Sequence, residues 1–451
     1  MQPNQTLALV GGDVSLEGAT LKTAGGRIEL GSVGDNSLVS LTPINKGFTL
    51  EYDAVQNFGN IQLSQQAAVD ASGAGSGDIQ ILGRRVTLTN GSQIEASTLG
   101  AEQGGNIVVN AQDSVQLIGT SADNQFSTGL FTQAYRSTTG AAGDLTINTR
   151  VLLVRDGGQV SASTFGAGNA GNLTVNADSV QLISASSNGE SRSSLLTETY
   201  STGAAGNLTI NTGELLVQNI AFVGTRTFGA GNAGNLTVNA DSVRLTGNSA
   251  DGNASSLVAT SEQGATGAAG NLTINTCELI VRDGGQVSAA TWGPLKGGNL
   301  TVKADSMQVI GIGTSSVSSL NTNAFPTATG AAGDLTINTR ELIVRDGGQV
   351  SASTFCAGNG GSLTVTADSV RLIGKSGLFT QAQDSTGAAG NLTINTRALL
   401  VRDRAIVSVQ SLGKGNAGNL TANARSVSLD NATLTANTQS INTDPNNEQA
   451  T

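Results

Sequence analysis

Residues 333–354 read GDLTINTRELIVRDGGQVSAST, and apolar side chains alternate with polar ones along most of this segment. The alternation falls in three short runs, Leu335–Asn338, Glu341–Val344 and Gln349–Thr354, which are separated by Asn, Asp and Gly residues. A period of two is typical of β-strands, whereas a helix would need a 3.6-residue stripe, which this segment lacks. The segment therefore predicts three short strands.

The same segment recurs along the chain in two related versions. The first contains Gly-Ala-Ala-Gly-(Asp/Asn)-Leu-Thr-Ile-Asn-Thr, and the second contains Gly-Asn-Leu-Thr-Val-Asn-Ala-Asp-Ser-Val with small variations. The first version precedes the second by 28 residues each time, and the pair repeats at intervals of 63, 64, 63 and 57 residues. The second glycine of the first version is Gly143, Gly206, Gly270, Gly333 and Gly390, and the second version begins at Gly171, Gly234, Gly298, Gly361 and Gly418.

Fixed-period repetition of this kind indicates either propeller blades or the coils of a solenoid. Blades need four strands and usually carry aromatic signatures, but these units are shorter and only 3% of the chain is aromatic. We therefore predict an all-β, right-handed parallel β-helix of about 13–15 three-strand coils, with coil starts that include Gly59, Gly77 and Gly105. Its core would contain a column of stacked leucines: Leu145, Leu173, Leu208, Leu236, Leu272, Leu300, Leu335, Leu363, Leu392 and Leu420.

Three regions follow from the pattern. Residues 1–58 are less regular, and we expect an irregular first coil or coils there with an extra strand or hairpin around Phe48, Leu50 and Tyr52. Residues 59–438 are predicted to form the β-helix with its double-coil period of about 63 residues, and residues 439–451 a disordered tail.

Stacked coils would also align polar residues into ladders. Asparagines such as Asn148, Asn176 and Asn211 share one offset, and we predict that their amides hydrogen-bond along the axis at a coil corner. Two residues further on, Asp and Arg alternate from Asp305 to Arg397, which predicts an exposed charge ladder. Cys277 and Cys356 lie at different corners, so we expect both to be unbridged.

Aromatic residues are few, which makes their positions informative. One column places Leu99, Phe165, Phe228, Trp292, Phe355 and Leu412 on alternate coils, where they would form either a corner staple or a sugar-binding strip. Every second coil also carries a loop after its second strand, as at 119–129, 184–194, 247–256, 311–319 and 374–377. Our candidate binding residues, in or near these loops and in this column, are Phe126, Phe131, Tyr135, Tyr200, Trp292 and Phe325.

Composition excludes several functions. The net charge of −10 argues against a nucleic-acid partner, and no apolar stretch is long enough for a membrane helix. The chain has no histidine, and its acidic residues recur once per repeat instead of clustering, so we predict neither enzymatic activity nor catalytic, metal or cofactor residues. Ala71–Ile79 is only a loose match to a calcium-binding nonapeptide repeat.

The opening strings QTLALVGGDVSLE (residues 5–17) and AGGRIELGS (residues 24–32), together with the GNLTVNADSV repeats, resemble cyanobacterial exoproteins of the filamentous haemagglutinin type. The resemblance implies a β-helical passenger of two-partner secretion, which crosses the outer membrane through a partner β-barrel transporter. The family's secretion domain carries an Asn-Pro-Asn-Gly-type motif that this sequence lacks. We therefore expect a chain without its amino-terminal secretion domain, as a fragment, a chain with a mis-assigned start or a degraded gene copy. The first residues, MQPNQT, lack the basic and apolar segments of a secretory signal, so we expect no signal peptide in this chain.

The resemblance implies a secreted or cell-surface adhesin, associated with the outer membrane, whose shaft presents loops to surface glycans or proteins. Two alternatives stay open. One is a carbohydrate-binding or carbohydrate-cleaving β-helix, and the other is a non-functional gene fragment.

Overall fold

The computed structural model describes residues 5–44, 47–249, 252–311, 316–383 and 386–438. Two long parallel sheets, one of 17 strands and one of 14, run along a common axis, with a separate two-stranded hairpin near the amino terminus. The chain winds through both sheets once per turn, which confirms the right-handed parallel β-helix. Since each turn adds one strand to the smaller sheet, the described residues form fourteen coils.

We number the coils from the amino terminus by the residues that their strands span. They are coil 1 (6–22), coil 2 (27–70), coil 3 (79–95), coil 4 (107–134), coil 5 (145–164), coil 6 (173–199), coil 7 (208–227), coil 8 (236–261), coil 9 (272–288), coil 10 (300–321), coil 11 (335–351), coil 12 (363–382), coil 13 (392–411) and coil 14 (420–438).

From coil 3 onward each coil has one long and one short strand, except that the long strand of coil 10 is divided into Leu300–Lys303 and Ser306–Ile310. The other long strands are Ile79–Thr89, Ile107–Ile118, Leu145–Arg155, Leu173–Ile183, Leu208–Gln218, Leu236–Thr246, Leu272–Arg282, Leu335–Arg345, Leu363–Ile373, Leu392–Arg402 and Leu420–Asp430. The short strands are Gln93–Glu95, Gly129–Ala134, Gln159–Thr164, Ser194–Thr199, Phe222–Thr227, Ser256–Ser261, Gln286–Ser288, Ser319–Asn321, Gln349–Ser351, Gly377–Ala382, Ile406–Ser411 and Thr433–Thr438.

The long strand corrects the predicted three-strand coil. In coil 11 the first two predicted strands form one 11-residue strand, Leu335–Arg345. Pairing with the next coil runs to Thr339↔Ala367 and resumes at Glu341↔Ser369, so that only Arg340 and Asp368 at the corner are skipped. The backbone stays extended through this corner and only one residue per coil leaves the hydrogen-bonded ladder, so the strand continues across it.

The first two coils are built differently because a hairpin interrupts the second. Coil 1 comprises Thr6–Gly11, Val14–Glu17 and Thr20–Lys22, and coil 2 comprises Arg27–Ser32, Asn60–Ser64 and Ala68–Asp70. Arg27–Ser32 pairs with the first half of the long strand of coil 3, and Asn60–Ser64 pairs with its second half. The predicted coil start at Gly59 is therefore wrong, because this glycine lies inside coil 2.

The insertion between the two halves holds the antiparallel strands Ser40–Ile44 and Gly47–Glu51. Leu50, Tyr52 and Val55 form a small buried cluster with Val33, Val39, Phe58 and Leu82, separate from the main core. The hairpin is thus packed against the outer surface of the first coils. The tail expected at residues 439–451 lies outside the described residues.

The main core is a continuous stack of aliphatic side chains. Leu335 pairs with Leu363, which pairs with Leu392, and all three are fully buried. The predicted leucine column is confirmed in coils 5 to 13, while Leu420 in coil 14 is only partly buried. Each of these side chains fills the space between its equivalents in the coils above and below, about 4.8 Å away.

Glycine permits this close stacking at one corner. A Cβ atom added to Gly206 would lie 1.8 Å from the carbonyl oxygen of Gly171, and one added to Gly234 would lie 1.8 Å from that of Gly206. Glycine is needed at this corner because the backbones of successive coils touch and leave no room for a Cβ atom. The backbone conformation of these glycines is not the reason, since their φ angles are not positive.

Side-chain ladders run along the same axis. Asn176 Nδ2 donates to Asn148 Oδ1, Asn211 Nδ2 to Asn176 Oδ1 and Asn239 Nδ2 to Asn211 Oδ1, each at 2.8 Å, which confirms the predicted asparagine ladder. These residues are absent from the positions with positive φ, so the ladder depends on amide pairing and not on a left-handed turn. The predicted charge ladder contains the exposed pairs Arg340–Asp305 at 3.1 Å and Arg397–Asp368 at 3.2 Å.

Gly206→Ala should destabilise the β-helix strongly, because its methyl group would collide with the Gly171 carbonyl. Overpacking of this kind costs about 1–3 kcal/mol. We expect a loss of unfolding free energy at the upper end of this range, because the clashing atom belongs to a backbone that cannot move aside as a side chain can. Urea unfolding followed by circular dichroism measures the change. Gly12→Ala is the control, because its added Cβ would meet no atom of the described residues within 4 Å. Equal stability of both variants would contradict the stacking argument.

Candidate functional site

The outward face of the short-strand sheet forms a groove that follows the helix axis. In coil 11, Val350 and Ala352 are fully buried in the core, whereas Gln349, Ser351 and Ser353 line the opposite, outward side. Three depressions lie along this face: one of about 240 Å³ in coils 3–5, one of about 210 Å³ in coils 5–7 and one of about 340 Å³ in coils 9–12. We call this face the groove.

Loops border the groove on one side. The predicted loops of coils 4, 6, 8, 10 and 12 all connect the end of a long strand to the start of a short one, and therefore project from the same corner. Three of them are closed by antiparallel bridges, Thr120↔Ser127, Ala185↔Arg192 and Asn248↔Ala254. Residues 250–251 and 312–315 of these loops lie outside the described residues.

A column of large side chains borders the groove on the other side. Each member donates its backbone N–H to the preceding coil, for example Tyr200 to Thr164 and Phe228 to Thr199. The predicted recurrence on alternate coils is wrong, because the intervening coils contribute Tyr135, Tyr200 and Phe325 to the same column. The full column is Leu99, Tyr135, Phe165, Tyr200, Phe228, Glu262, Trp292, Phe325, Phe355, Gln383 and Leu412.

The aromatic rings of this column stack on one another. Tyr200 lies between Phe165 and Phe228 with centroid distances of 4.7 Å on both sides, and Trp292 stacks on Phe325 at 4.2 Å. Since ring faces engaged in this way are not free for a sugar, the stacking favours the corner-staple interpretation for most of the column.

The structure places the six predicted binding residues along one surface. Phe126, Phe131 and Tyr135 line the depression of coils 3–5, with Phe131 nearly buried and the other two exposed. Phe325 lines the depression of coils 9–12, and its neighbour Trp292 stacks on it. Tyr200 lies in the column beside coils 5–7 and donates from its hydroxyl to Glu198 at 2.8 Å.

The middle part of the groove is charged. Arg226 Nε donates to Glu198 Oε1 at 2.6 Å, and the guanidinium groups of Arg192 and Arg226 lie over the ring of Phe222 at 4.9 and 4.4 Å. Arg192 donates to the backbone carbonyls of Ile220 and Ala254. Burial, with a smaller contribution from Arg226, lowers the pKa of Arg192 to about 10.

Sequence reasoning missed one duplication in the groove. The short strands of coils 4 and 12 have the identical sequence GLFTQA, Gly129–Ala134 and Gly377–Ala382. In both copies the phenyl ring lies over the glycine two residues before it, so that a Cβ on Gly129 would come within 2.8 Å of Phe131 and one on Gly377 within 2.2 Å of Phe379. A search for exact hexapeptides outside the strongest repeats would have found this pair.

A second feature lies at the amino-terminal end, under the hairpin. Glu29 is fully buried, and its Oε1 accepts hydrogen bonds from Arg27 Nε at 2.5 Å and from the Thr49 hydroxyl at 3.1 Å. Arg27 Nη1 also donates to Asp78 at 3.0 Å. These contacts join the hairpin to coils 2 and 3 through side chains.

Burial controls the ionisation of this cluster. It raises the pKa of Glu29, although the hydrogen bonds from Arg27 and Thr49 oppose the shift. Burial, together with the charge of Glu29, also raises the pKa of Tyr52. A carboxyl whose pKa is higher in the folded than in the unfolded state binds more protons when folded, so the hairpin should become more stable as pH falls through the raised pKa.

Among the described residues, no three Cys, Asp or Glu side chains are grouped as metal ligands would be. In the part of the chain that the structure describes, no helix has the length and hydropathy needed to cross a membrane. Cys277 is exposed, Cys356 is buried, and both are free thiols, as predicted.

Glu29→Gln should remove the pH response of the hairpin. We expect hydrogen exchange of the 47–51 amides, corrected for the intrinsic pH dependence, to slow in the wild type as pH falls from 7 toward 4.5 and to change much less in the variant. Glu51→Gln, which alters an exposed carboxylate in the same hairpin, is the matched control and should respond like the wild type. An unchanged response in Glu29→Gln would show that another group is responsible.

Comparison with known proteins gives one result. Residues 1–81 match the family described as the TPS secretion domain. No curated protein and no solved structure gives a significant match. The matched residues cover coils 1 and 2, the inserted hairpin and the first residues of coil 3.

The expectation that the chain lacks its secretion domain is therefore wrong. It depended on one missing Asn-Pro-Asn-Gly-type motif, whereas the family match extends over the first two coils and the hairpin between their strands. The same parallel sheets continue from the matched residues into the repeats, since Ile28 pairs with Ile79 and Leu30 with Ile81. A TPS secretion domain at residues 1–81 that continues directly into a parallel β-solenoid fits a passenger protein of two-partner secretion.

Proposed function

We propose that this secreted β-helical protein is an adhesin that stays at the cell surface and uses its shaft to hold the groove and its loops away from the membrane. The observation that carries the proposal is the continuity of the secretion-domain match with the repeats. Because both share the same sheets, a transporter that recognises residues 1–81 would export the solenoid with them.

The partner in this proposal is an outer-membrane transporter of the two-partner secretion type. The chain suits passage through a narrow pore as an unfolded polypeptide, since its two cysteines are unbridged and only 3% of its residues are aromatic. On the far side each coil would fold on the edge of the preceding one, because a parallel ladder needs only its neighbour as a template.

The shaft dimensions support a presenting role. Fourteen coils at about 4.8 Å each give a rod of about 65 Å. The loops of coils 4, 6, 8, 10 and 12 leave this rod at one corner, so they form a row beside the groove. Single-face loops on a regular scaffold are the common arrangement for recognition in solenoid proteins.

We propose no enzymatic activity. Asp283, Asp346 and Asp403 are repeated in equivalent tight turns with φ between 53° and 57°, which gives them a structural role in the turn. Asp305 and Asp368 pair with arginines of neighbouring coils on the exposed corner. Glycoside hydrolysis needs a pair of carboxylates at one unique place, and these repeated acids do not form such a pair.

The proposal predicts that a deletion strain attaches less well to surfaces than its parent. The chain in the parent strain should be accessible to protease added to intact cells, and attachment should fall at least severalfold in the deletion strain and return when the full gene is restored. A second deletion strain that lacks the partner transporter should retain the protein inside the outer membrane. An intracellular product in the parent, or equal attachment of the parent and the gene deletion, would contradict the proposal.

A further inference from the structure

The depression of coils 9–12 differs from the rest of the groove because its lining is uncharged. It is about 340 Å³ in volume, and its walls consist of amides, hydroxyls, aromatic rings and the side chain of Val317. The depressions of coils 3–5 and 5–7 contain Glu95 or the Arg192–Arg226 pair instead. The chain carries a net charge of −10, so a neutral surface of this size is a distinct region of the molecule.

Part of this lining is fixed in place by internal hydrogen bonds. Asn323 Oδ1 accepts from the Ser351 hydroxyl and from the Ser353 backbone N–H, both at 2.8 Å. Gln381 Nε2 donates to Ser408 at 3.0 Å, and Gln383 Nε2 donates to Gln381 Oε1 at 2.9 Å. These contacts hold the amides without a bound molecule, so a ligand would not have to order them first.

Other amides in the same depression are free to bind a ligand. In the described parts of the chain, the side-chain amides of Gln286 and Gln349 form no hydrogen bond, although both residues are half-buried. They occupy the same position on their short strands, with Ser319 between them in coil 10. Successive coils are about 4.8 Å apart, so the two amides are separated by about 10 Å along the axis.

Aromatic rings add apolar surface next to these donors and acceptors. Phe355 is the last ring of the Trp292–Phe325–Phe355 stack, because the next position of the column is Gln383. Phe379 lies over Gly377 within the lining itself. Such a surface suits a ligand with both hydroxyl groups, which the amides can hydrogen-bond, and C–H faces, which can pack on the half-buried rings.

The backbone contributes nothing to recognition on this face. The N–H and C=O groups of the short strands already pair with the coils on both sides, as in the Gln349↔Ser319 and Gln349↔Gly377 pairings. A peptide therefore cannot add a strand here, and only side chains contact an occupant. Strand addition is the usual way for a sheet to bind an extended peptide, so this geometry argues against a peptide ligand.

We propose that the depression of coils 9–12 binds a segment of an uncharged polysaccharide, with its chain along the helix axis. Hydroxyl groups of the sugars would bind Gln286, Gln349 and Asn323, and their C–H faces would contact Phe355 and Phe379. Acidic polysaccharides are disfavoured because the described residues of the lining include no cation and the chain as a whole is negative. This inference rests on the proposed adhesive function, for which it names the ligand class.

The test uses the purified full chain and polysaccharides of known charge. Dextran, galactomannan and xyloglucan are the uncharged probes, and alginate and heparin are the acidic ones. Affinity electrophoresis in native gels measures retardation, and calorimetry with oligosaccharides of the retarding polymer gives the affinity. We expect retardation by at least one uncharged polymer, unaffected by 0.5 M salt, and none by the acidic polymers.

The double variant Gln286→Ala/Gln349→Ala should bind about tenfold or more weakly, since two hydrogen bonds to the ligand are lost. Neither amide has a hydrogen-bond partner among the described residues, so the fold should be unaffected. Gln308→Ala is the matched control, because Gln308 lies on a strand of the other sheet, and it should bind like the wild type. Phe379→Ala removes the apolar contact while leaving both amides in place, and it should also weaken binding.

Several results would overturn the inference: no retardation by any uncharged probe, equal or salt-sensitive retardation by alginate, or the same loss of affinity in Gln308→Ala. Self-association of the wild type that the double variant abolishes would show instead that a second copy occupies the depression. The adhesive function is tested separately. If the purified chain binds but the deletion strain attaches normally, the binding site stands and the adhesin proposal fails, and the reverse pattern rejects only the site.

Discussion

The parallel ladder between successive coils is the constraint on which the rest of this protein depends. Every coil places its backbone hydrogen bonds on the coil before it, and the two backbones touch at the glycine corner, where Gly206 packs against the Gly171 carbonyl. Once this spacing is set, equivalent side chains must lie over one another. The leucine core, the asparagine ladder and the aromatic column are consequences of one repeated contact. A sequence can maintain them only by keeping the same residue types at the same offsets.

That regularity also explains where variation is tolerated. The core positions admit little change, because each side chain has neighbours in two other coils. The outward face of the short strands has no such restriction, and it carries amides, rings, an arginine pair and the duplicated GLFTQA strand in different coils. The loops vary at the adjoining corner. A uniform interior thus supports a surface whose chemistry changes from one end of the groove to the other.

The amino-terminal end shows how a departure from the repeat is accommodated. The hairpin is inserted within coil 2, at the corner between its two long-sheet strands, and the interrupted ladder continues on either side of it. Burying Glu29 beneath the hairpin is costly unless its charge is compensated, and the hydrogen bonds from Arg27 and Thr49 to Oε1 provide part of that compensation. This irregular part coincides with the residues that match the TPS secretion domain, while the regular part follows as the exported shaft.

The sequence alone determined the architecture, because the period of two within strands and the period of about 63 residues along the chain follow from local residue types. It also located the leucine column and the loops, and it singled out the aromatic residues beside the groove. Three features needed the tertiary structure. Tyr135, Tyr200 and Phe325 follow loops of different length, so their spacing in the sequence is irregular. They join the aromatic column because the short strands after these loops pair in register with the neighbouring coils. Coil 2 begins at Arg27 and not at Gly59, because Arg27–Ser32 and Asn60–Ser64 pair with the same long strand of coil 3 although the hairpin separates them in sequence. The uncharged depression exists because residues from four coils, up to about a hundred positions apart, meet on one face. Their spacing along the chain does not predict this, because the winding of the coils decides which side chains become neighbours.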